Sequence, residues 1–139
     1  MRQEQHELLR STPGRGLYDI TRRTVEWCAG THIRTGLLTL FIRHTSASLL
    51  IQENADSDVL HDLNRFLDRM IPDDTSLYRH IAEGADDMPA HIRSALTQTS
   101  LTIPVQDGCP MLGTWQGIYI FEHRTHPHER KVALHLIGD

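Results

Sequence analysis

Apolar residues follow two rhythms along this chain. Between positions 57 and 72 they recur every three or four residues: Val59, Leu60, Leu63, Phe66, Leu67 and Met70 share one face, while His61, Asp62, Arg65, Asp68 and Arg69 line the other. That spacing predicts an amphipathic helix. Asp56, Ser57 and Asp58 suit its start, since their oxygens accept from free backbone N–H groups and their charge complements the helix dipole. Pro72 stops it. Elsewhere the apolar runs are short. Leu37 to Arg43 is apolar on both faces apart from Thr39, which predicts a central strand. A second strand is expected over Ser46 to Glu53, joined to the first through a bend or bulge near His44-Thr45.

The remaining elements are read from punctuation. Gln5 to Leu9 suits an edge strand, and Thr12-Pro13-Gly14-Arg15-Gly16 is a turn cluster. Leu17 to Ile20 reads as a short strand. Thr21 is then expected to cap a helix from Arg22 to Ala29 that Gly30 ends. Pro89 falls where the first turn of a helix tolerates it, and that helix runs to about Gln98. Strands are expected over Ser100 to Val105, Gly117 to His123 and Val132 to Ile137, with His126-Pro127-His128-Glu129 as a hairpin loop. Sequential strands at both ends with helices in the middle of the chain predict an α+β fold of mostly antiparallel sheets, not a doubly wound one. No linker or repeat interrupts residues 1–139, so one domain is expected.

Composition narrows the function classes. The formal net charge is −4, and the 14 Lys and Arg residues form no basic stripe, which argues against nucleic acid. No apolar run approaches the roughly 18 residues of a membrane span, and Met1 to Glu7 is polar, unlike a signal peptide. Cys28 and Cys109 have no CxxC spacing and read as isolated thiols. Together these predict a cytoplasmic protein without a membrane partner. The hydrophobic share of 39% is slightly low for a monomer, which suits surface buried in an oligomer.

Three histidines stand in the most unusual stretches. His44 opens His44-Thr45-Ser46-Ala47-Ser48 at the end of an apolar strand, His80 follows Tyr78-Arg79, and His91 ends Glu83-Gly84-Ala85-Asp86-Asp87-Met88-Pro89-Ala90-His91. Three neutral imidazoles with an open fourth position make a catalytic metal site. Each also has a plainer reading: His44 as a satisfied core residue, and the acidic run as a solvated loop. Asn54, Asp56 and Asp58 are helix caps or pocket residues, with Asp58 the candidate base. Gly113-Thr114-Trp115-Gln116-Gly117 is a turn that places Trp115 in the core, or one that sets Trp115 or Gln116 over a planar ligand. Glu122 interrupts an apolar strand and needs a buried partner such as Arg124 or a metal-site histidine, or else faces solvent by alternation. His123, His126 and His128 read as solvated loop imidazoles. No P-loop, dinucleotide fingerprint, nucleophile elbow or HExxH motif occurs.

Taken together, His44-Thr45-Ser46-Ala47-Ser48, Glu53-Asn54 with Asp56, Tyr78 with His80, Glu83 to Ile92, Gly113 to Ile118 and Glu122-His123-Arg124 resemble the YjbQ-like family, often described as secondary thiamine-phosphate synthases. The resemblance spans nearly the whole chain. It implies a β-sandwich-like α+β body, a homotrimer, and a polar pocket near a subunit boundary. It also implies a divalent metal, zinc or, with a phosphate substrate, magnesium, held by His44, His80 and His91. Asn54, Asp58, Glu83, Asp87 and Gln116 are then the other catalytic or substrate-facing residues. Many relatives carry Glu-Gly-Asn-x-Asp-Ala-His in the middle motif. The longer run here leaves open which of Asp86 and Asp87 faces the pocket. The implied reaction joins a pyrimidine diphosphate to a thiazole phosphate and releases pyrophosphate. The alternative is a non-catalytic trimer that binds a small phosphorylated metabolite, and a third is a structural protein whose histidines hold loops together.

Overall fold

A computed structural model describes all residues, Met1 to Asp139. The strands are β1 (Arg2–Thr12), β2 (Gly16–Asp19), β3 (Gly36–Ile42), β4 (Ala47–Glu53), β5 (Ser100–Gln106), β6 (Cys109–Pro110), β7 (Gln116–Glu122) and β8 (His128–Gly138). The helices are α1 (Thr21–Thr31), α2 (Ser57–Met70) and α3 (Asp87–Leu96), with one 3-10 turn at Thr75–Leu77. Two antiparallel sheets form, ordered β1-β8-β3-β5-β6 and β2-β7-β4. They meet on one apolar core. Leu38, Leu40, Ile42, Ile103, Val132 and Leu134 enter from the larger sheet, and Ala47, Leu49, Ile118 and Ile120 from the smaller. The α+β class with β-sandwich-like antiparallel sheets is therefore observed.

The strand β3 is central, between β8 and β5, and β1 is an edge strand, both as their sequences predict. The two faces of β3 differ, however. Leu38, Leu40 and Ile42 are buried, whereas Leu37 and Phe41 are exposed by alternation. Consecutive strands also separate where pairing was expected, through a bend or bulge near His44-Thr45 and through a hairpin loop at 126–129. β3 lies in the large sheet and β4 in the small one, so Arg43 to Ser46 crosses between layers. The same holds for β7 and β8: the crossing covers His123 to Pro127, and His128 and Glu129, expected in a hairpin loop, already belong to β8 and pair with β1. Residues after α3 stitch the layers together, with Ile42 N–H donating to Thr99 O and Leu49 N–H to Gln98 O.

The helix boundaries follow their local chemistry with one exception. α2 starts at Asp56, whose carboxylate accepts from Asp58 N–H at 2.9 Å. α3 carries Pro89 in its first turn. In α1, Thr21 is the first helical residue and does not cap; its amide donates to Asp19 Oδ1, and its hydroxyl accepts from Ile118 N–H. The helix runs through Gly30 and ends where His32 takes a left-handed conformation. α2 buries its apolar face only in part, leaving Phe66 and Met70 exposed. No helix is long and apolar enough to cross a membrane.

Candidate metal centre

The first turn of α3 and the segment before it build a dense polar cluster. Gly84 makes the approach with φ of +109°, and a Cβ there would stand 3.0 Å from Asp86 Oδ1. The turn delivers two buried acids, Asp86 and Asp87, at the helix start. His91 follows Asp87 by four residues and so lies on the same face. Its Nε2 is 3.2 Å from Asp87 Oδ2. His80, from the irregular segment, brings its own Nε2 to 2.6 Å from the same oxygen. The two imidazoles meet edge to face with centroids 5.5 Å apart. The donor atoms of His80, Asp87 and His91 all lie within 4.8 Å of one another.

Arg124, just past β7, organises the acids from behind. Its Nε donates to Asp86 Oδ2 at 2.9 Å, Nη1 to Asp87 Oδ1 at 2.8 Å, and Nη2 to Glu83 O at 3.0 Å. Burial pushes the Asp86 carboxyl up, but Thr125 N–H and Arg124 outweigh it and hold it down at about 2. Asp87 is lowered in the same way: burial opposes, and His80, Arg124 and His91 prevail. Both acids are therefore carboxylates at neutral pH. Arg124 occupies one oxygen of Asp87 and leaves Oδ2 to the histidines.

The hydrogen bonds of His91 bear on what fits here. Its Nδ1 lies 3.1 Å from Thr45 O, a carbonyl that can only accept, so Nδ1 carries the ring proton. In the neutral ring Nε2 is then an acceptor facing another acceptor, Asp87 Oδ2. A proton on Nε2 or a cation between the two relieves that contact. Two imidazole nitrogens and one carboxylate oxygen, with the rings partly open to solvent, suit a borderline divalent ion such as zinc better than magnesium, which prefers all-oxygen ligation.

The remaining expected site residues are dispersed. His44 is outside this cluster. Because β3 lies beside β8, its Nε2 accepts from Lys131 N–H at 2.8 Å, and burial together with Arg130 lowers its pKa. Of the three histidines the structure brings together two, and Asp87 stands as the third donor. Glu83 is exposed, with its carbonyl taken by Arg124. Asp58 is exposed in the first turn of α2. Asn54 Nδ2 donates to Thr114 O, and Gln116 Oε1 accepts from Gly113 N–H. These two amides brace the far end of the β4–β7 pair, roughly 20 Å along β7 from Glu122 at about 3.3 Å per residue. Trp115 is solvent-exposed and not in the core.

Sequence reading missed three features. Glu122 is buried, but its ion-pair partner is Arg130, at 2.6 and 2.7 Å, while Arg124 offers it only a backbone N–H. His123 is fully buried, not a solvated loop residue, and its Nε2 meets Ser48 Oγ at 2.8 Å. Arg124 itself was not singled out as the organiser of Asp86 and Asp87. Its position two residues after an apolar strand, among acids distant in sequence, was the available signal.

Residues 5–139 match the family described as UPF0047 protein YjbQ-like. The chain belongs to the YjbQ-like UPF0047 family. A UPF0047 protein of Synechocystis is 51% identical over 99% of this chain and 94% of its own length. The YjbQ protein of Escherichia coli O157:H7 is 43% identical over 97% of this chain and 98% of its own. Among solved structures, a yjbq/upf0047-family protein of Clostridium acetobutylicum superposes with a TM-score of 0.86 at 33% identity, covering 95% of this chain and 99% of that one. A protein of Aeropyrum pernix gives 0.88 at 28% identity, covering 98% and 99%. The YjbQ-like fold thus accounts for both sheets and all three helices.

Proposed function

We propose that this chain is a small metal-dependent enzyme in which His80, Asp87 and His91 hold one divalent cation, zinc before magnesium. The observation that carries the reading is the approach of two imidazole nitrogens to a single carboxylate oxygen whose twin is already bound by Arg124. A cation held there supplies Lewis acidity toward a phosphate or water oxygen. The protein's own contribution is positioning. Thr45 O fixes the proton on His91 Nδ1, and Arg124 neutralises and orients Asp87 through Oδ1 while leaving Oδ2 turned to the two histidines. For the reaction itself, the proposed chemistry is the one the motif resemblance implies, a transfer that joins a pyrimidine diphosphate to a thiazole phosphate and releases pyrophosphate. The exposed apolar residues Leu9, Leu37 and Phe41 of the larger sheet support an assembly that covers that face, the homotrimer of the resemblance. The cytoplasm is its proposed location.

One observation favours a second reading, a non-catalytic trimer that binds a small phosphorylated metabolite. The Arg124 charge is consumed by Asp86 and Asp87, so it does not serve a diphosphate leaving group.

Metal content of untagged protein tests the first reading. About one zinc-like ion per chain is expected, lost in Asp87→Asn and His91→Ala and retained in His44→Ala. Protein purified without metal that also fails to take up zinc on titration overturns it. Pyrophosphate release from the two thiamine precursors, abolished by His91→Ala, separates enzyme from binder; binding without release selects the second reading.

A further inference from the structure

A polar cavity of about 470 Å³ lies beside a different face of α3. Arg93 reaches it from a position roughly 140° around the helix from Asp87 and His91, at about 100° per residue. Its other polar walls come from Arg15 in the turn before β2, from Asn64 and Asp68 on α2, from Asp73 and from Thr125. None of these side chains is a donor of the candidate metal centre; only the Thr125 amide touches it, donating to Asp86 Oδ2 at 2.9 Å.

The charges in this cavity are incompletely matched. Arg93 is 1% exposed, yet only Nη2 is partnered, donating to Asp68 Oδ1 at 3.1 Å and Ile71 O at 3.2 Å. Its Nε and Nη1 are buried with no partner. Unpaired buried guanidinium donors are unusual, because each carries a desolvation penalty that no bond offsets. Arg15 grips Asp73 with both Nη atoms, at 3.1 and 3.0 Å, and donates from Nε to His123 O. Its Nη1 also stands 3.9 Å from Asp68 Oδ1. A single carboxylate oxygen of Asp68 therefore sits between two guanidiniums, on a side chain that is 45% exposed. Two arginines and two aspartates cancel while Asp68 points in. With Asp68 turned to solvent, the cavity has one net positive charge. Asn64 adds a buried amide oxygen that also has no partner.

The geometry points to an oxyanion site in which the phosphate or carboxylate group of a small metabolite replaces the Asp68 carboxylate between Arg15 and Arg93, with a ligand hydroxyl donating to Asn64. Guanidinium forks match both anions, and bound oxygen atoms supply the acceptors that Arg93 lacks. Asp68 acts as an internal competitor that closes the site when no anion is present.

The test is titration of inorganic phosphate, and separately acetate, into full-length protein stripped of metal with a chelator that is then removed. The readouts are the arginine Nε–H resonances and the thermal midpoint. Saturable binding in the millimolar range is expected with at least one anion, and the preferred anion identifies the ligand group. Asp68→Asn should bind about fivefold tighter, the scale of one partly exposed ion pair. Arg15→Gln should weaken binding, and it avoids truncating the buried Arg93. His91→Ala should leave binding unchanged, which keeps this result separate from that of the metal centre. No saturable shift below about 50 mM in either the parent or Asp68→Asn overturns the proposal. So does an Asp68→Asn protein that melts lower and recovers nothing with anion, because Asp68 is then a structural latch. Loss of binding in His91→Ala overturns it too, by locating the anion at the histidines.

Discussion

Glu122 and Arg124 leave the same strand two residues apart and enter networks of opposite character. Glu122 is sealed. Arg130 grips both of its oxygens, Thr12 donates at 2.5 Å, and the amides of His123 and Arg124 donate at 3.0 and 3.1 Å. Arg130 in turn reaches Ser46 O and Oγ, so the network ties the crossing into β4 to β7 and β8. Burial pushes the Glu122 carboxyl up, but Arg130 and Thr12 outweigh it and keep it ionised. Arg124 instead anchors an open network. Asp86 and Asp87 are buried at its base, but the side chains of His80 and His91 are 43% and 34% exposed. Moreover, the neutral His91 ring turns an acceptor toward another acceptor. Similar residue types thus serve two purposes. Where donors and acceptors balance out of reach of water, the network holds strands together; where acceptors converge at the surface, it is suited to a cation.

The largest effect is expected from breaking the closed network. Arg130→Met leaves Glu122 charged, buried and without its main partner, and should destabilise the fold by about 3–5 kcal/mol in urea denaturation. The double variant Arg130→Met with Glu122→Leu should recover much of that loss, because it removes the stranded charge. A single-variant loss below about 1 kcal/mol would contradict a structural role for the pair.

The buried His123 gives a pH signature to the same side of the comparison. Burial pushes its pKa down to about 3, and the nearby Arg93 acts in the same direction. The unfolded chain binds that proton near pH 6.5. Stability contributed by the neutral ring is therefore complete above about pH 6.5 and lost as pH falls from there toward 3. The slope reaches up to about 1.4 kcal/mol per pH unit. His123→Gln should flatten the profile between pH 6 and 4, measured by denaturant midpoints. Asp86 acts in a lower window: its depressed pKa gives stability present above about pH 4 and lost as pH falls toward 2.

The smallest effect sharpens the open side. Arg124→Gln keeps a hydrogen-bond donor beside Asp87 but removes the charge that orients it. Zinc affinity, read by competition with a chromophoric chelator, should fall about 10–100-fold. An unchanged affinity would mean that Asp87 needs no support from behind. A loss of all secondary structure would place Arg124 with the closed network instead.

Much of this arrangement was legible in local pattern. The periodicity of α2, the Asp56 cap, the stop at Pro72 and the placement of Pro89 are properties of a few neighbouring residues. Each appears in the structure where such rules put it. The pairing of Asp87 with His91 was half legible, since four residues on a helix share a face, but the longer acidic run offered Asp86 equally. His44 stands apart from His80 and His91 in this chain for a non-local reason: its ring accepts from Lys131, 87 residues away, because β3 and β8 are neighbours. His123 was misread because loop-like neighbours on one side hid the buried strand end on the other.

The sequence by itself determined which segments are helix or strand, which faces are apolar and which residue types are available for chemistry, because dihedral preference, capping and side-chain period are local. Only the tertiary structure decided that the chain changes layers at Arg43–Ser46 and again after His123. It alone brought His80 to Asp87, gave Glu122 to Arg130 and left Asp68 between two arginines. Those outcomes depend on which distant strand lies alongside and on which charge is then buried with which. The balance is set by desolvation and pairing across the whole core, and no short window of residues encodes it.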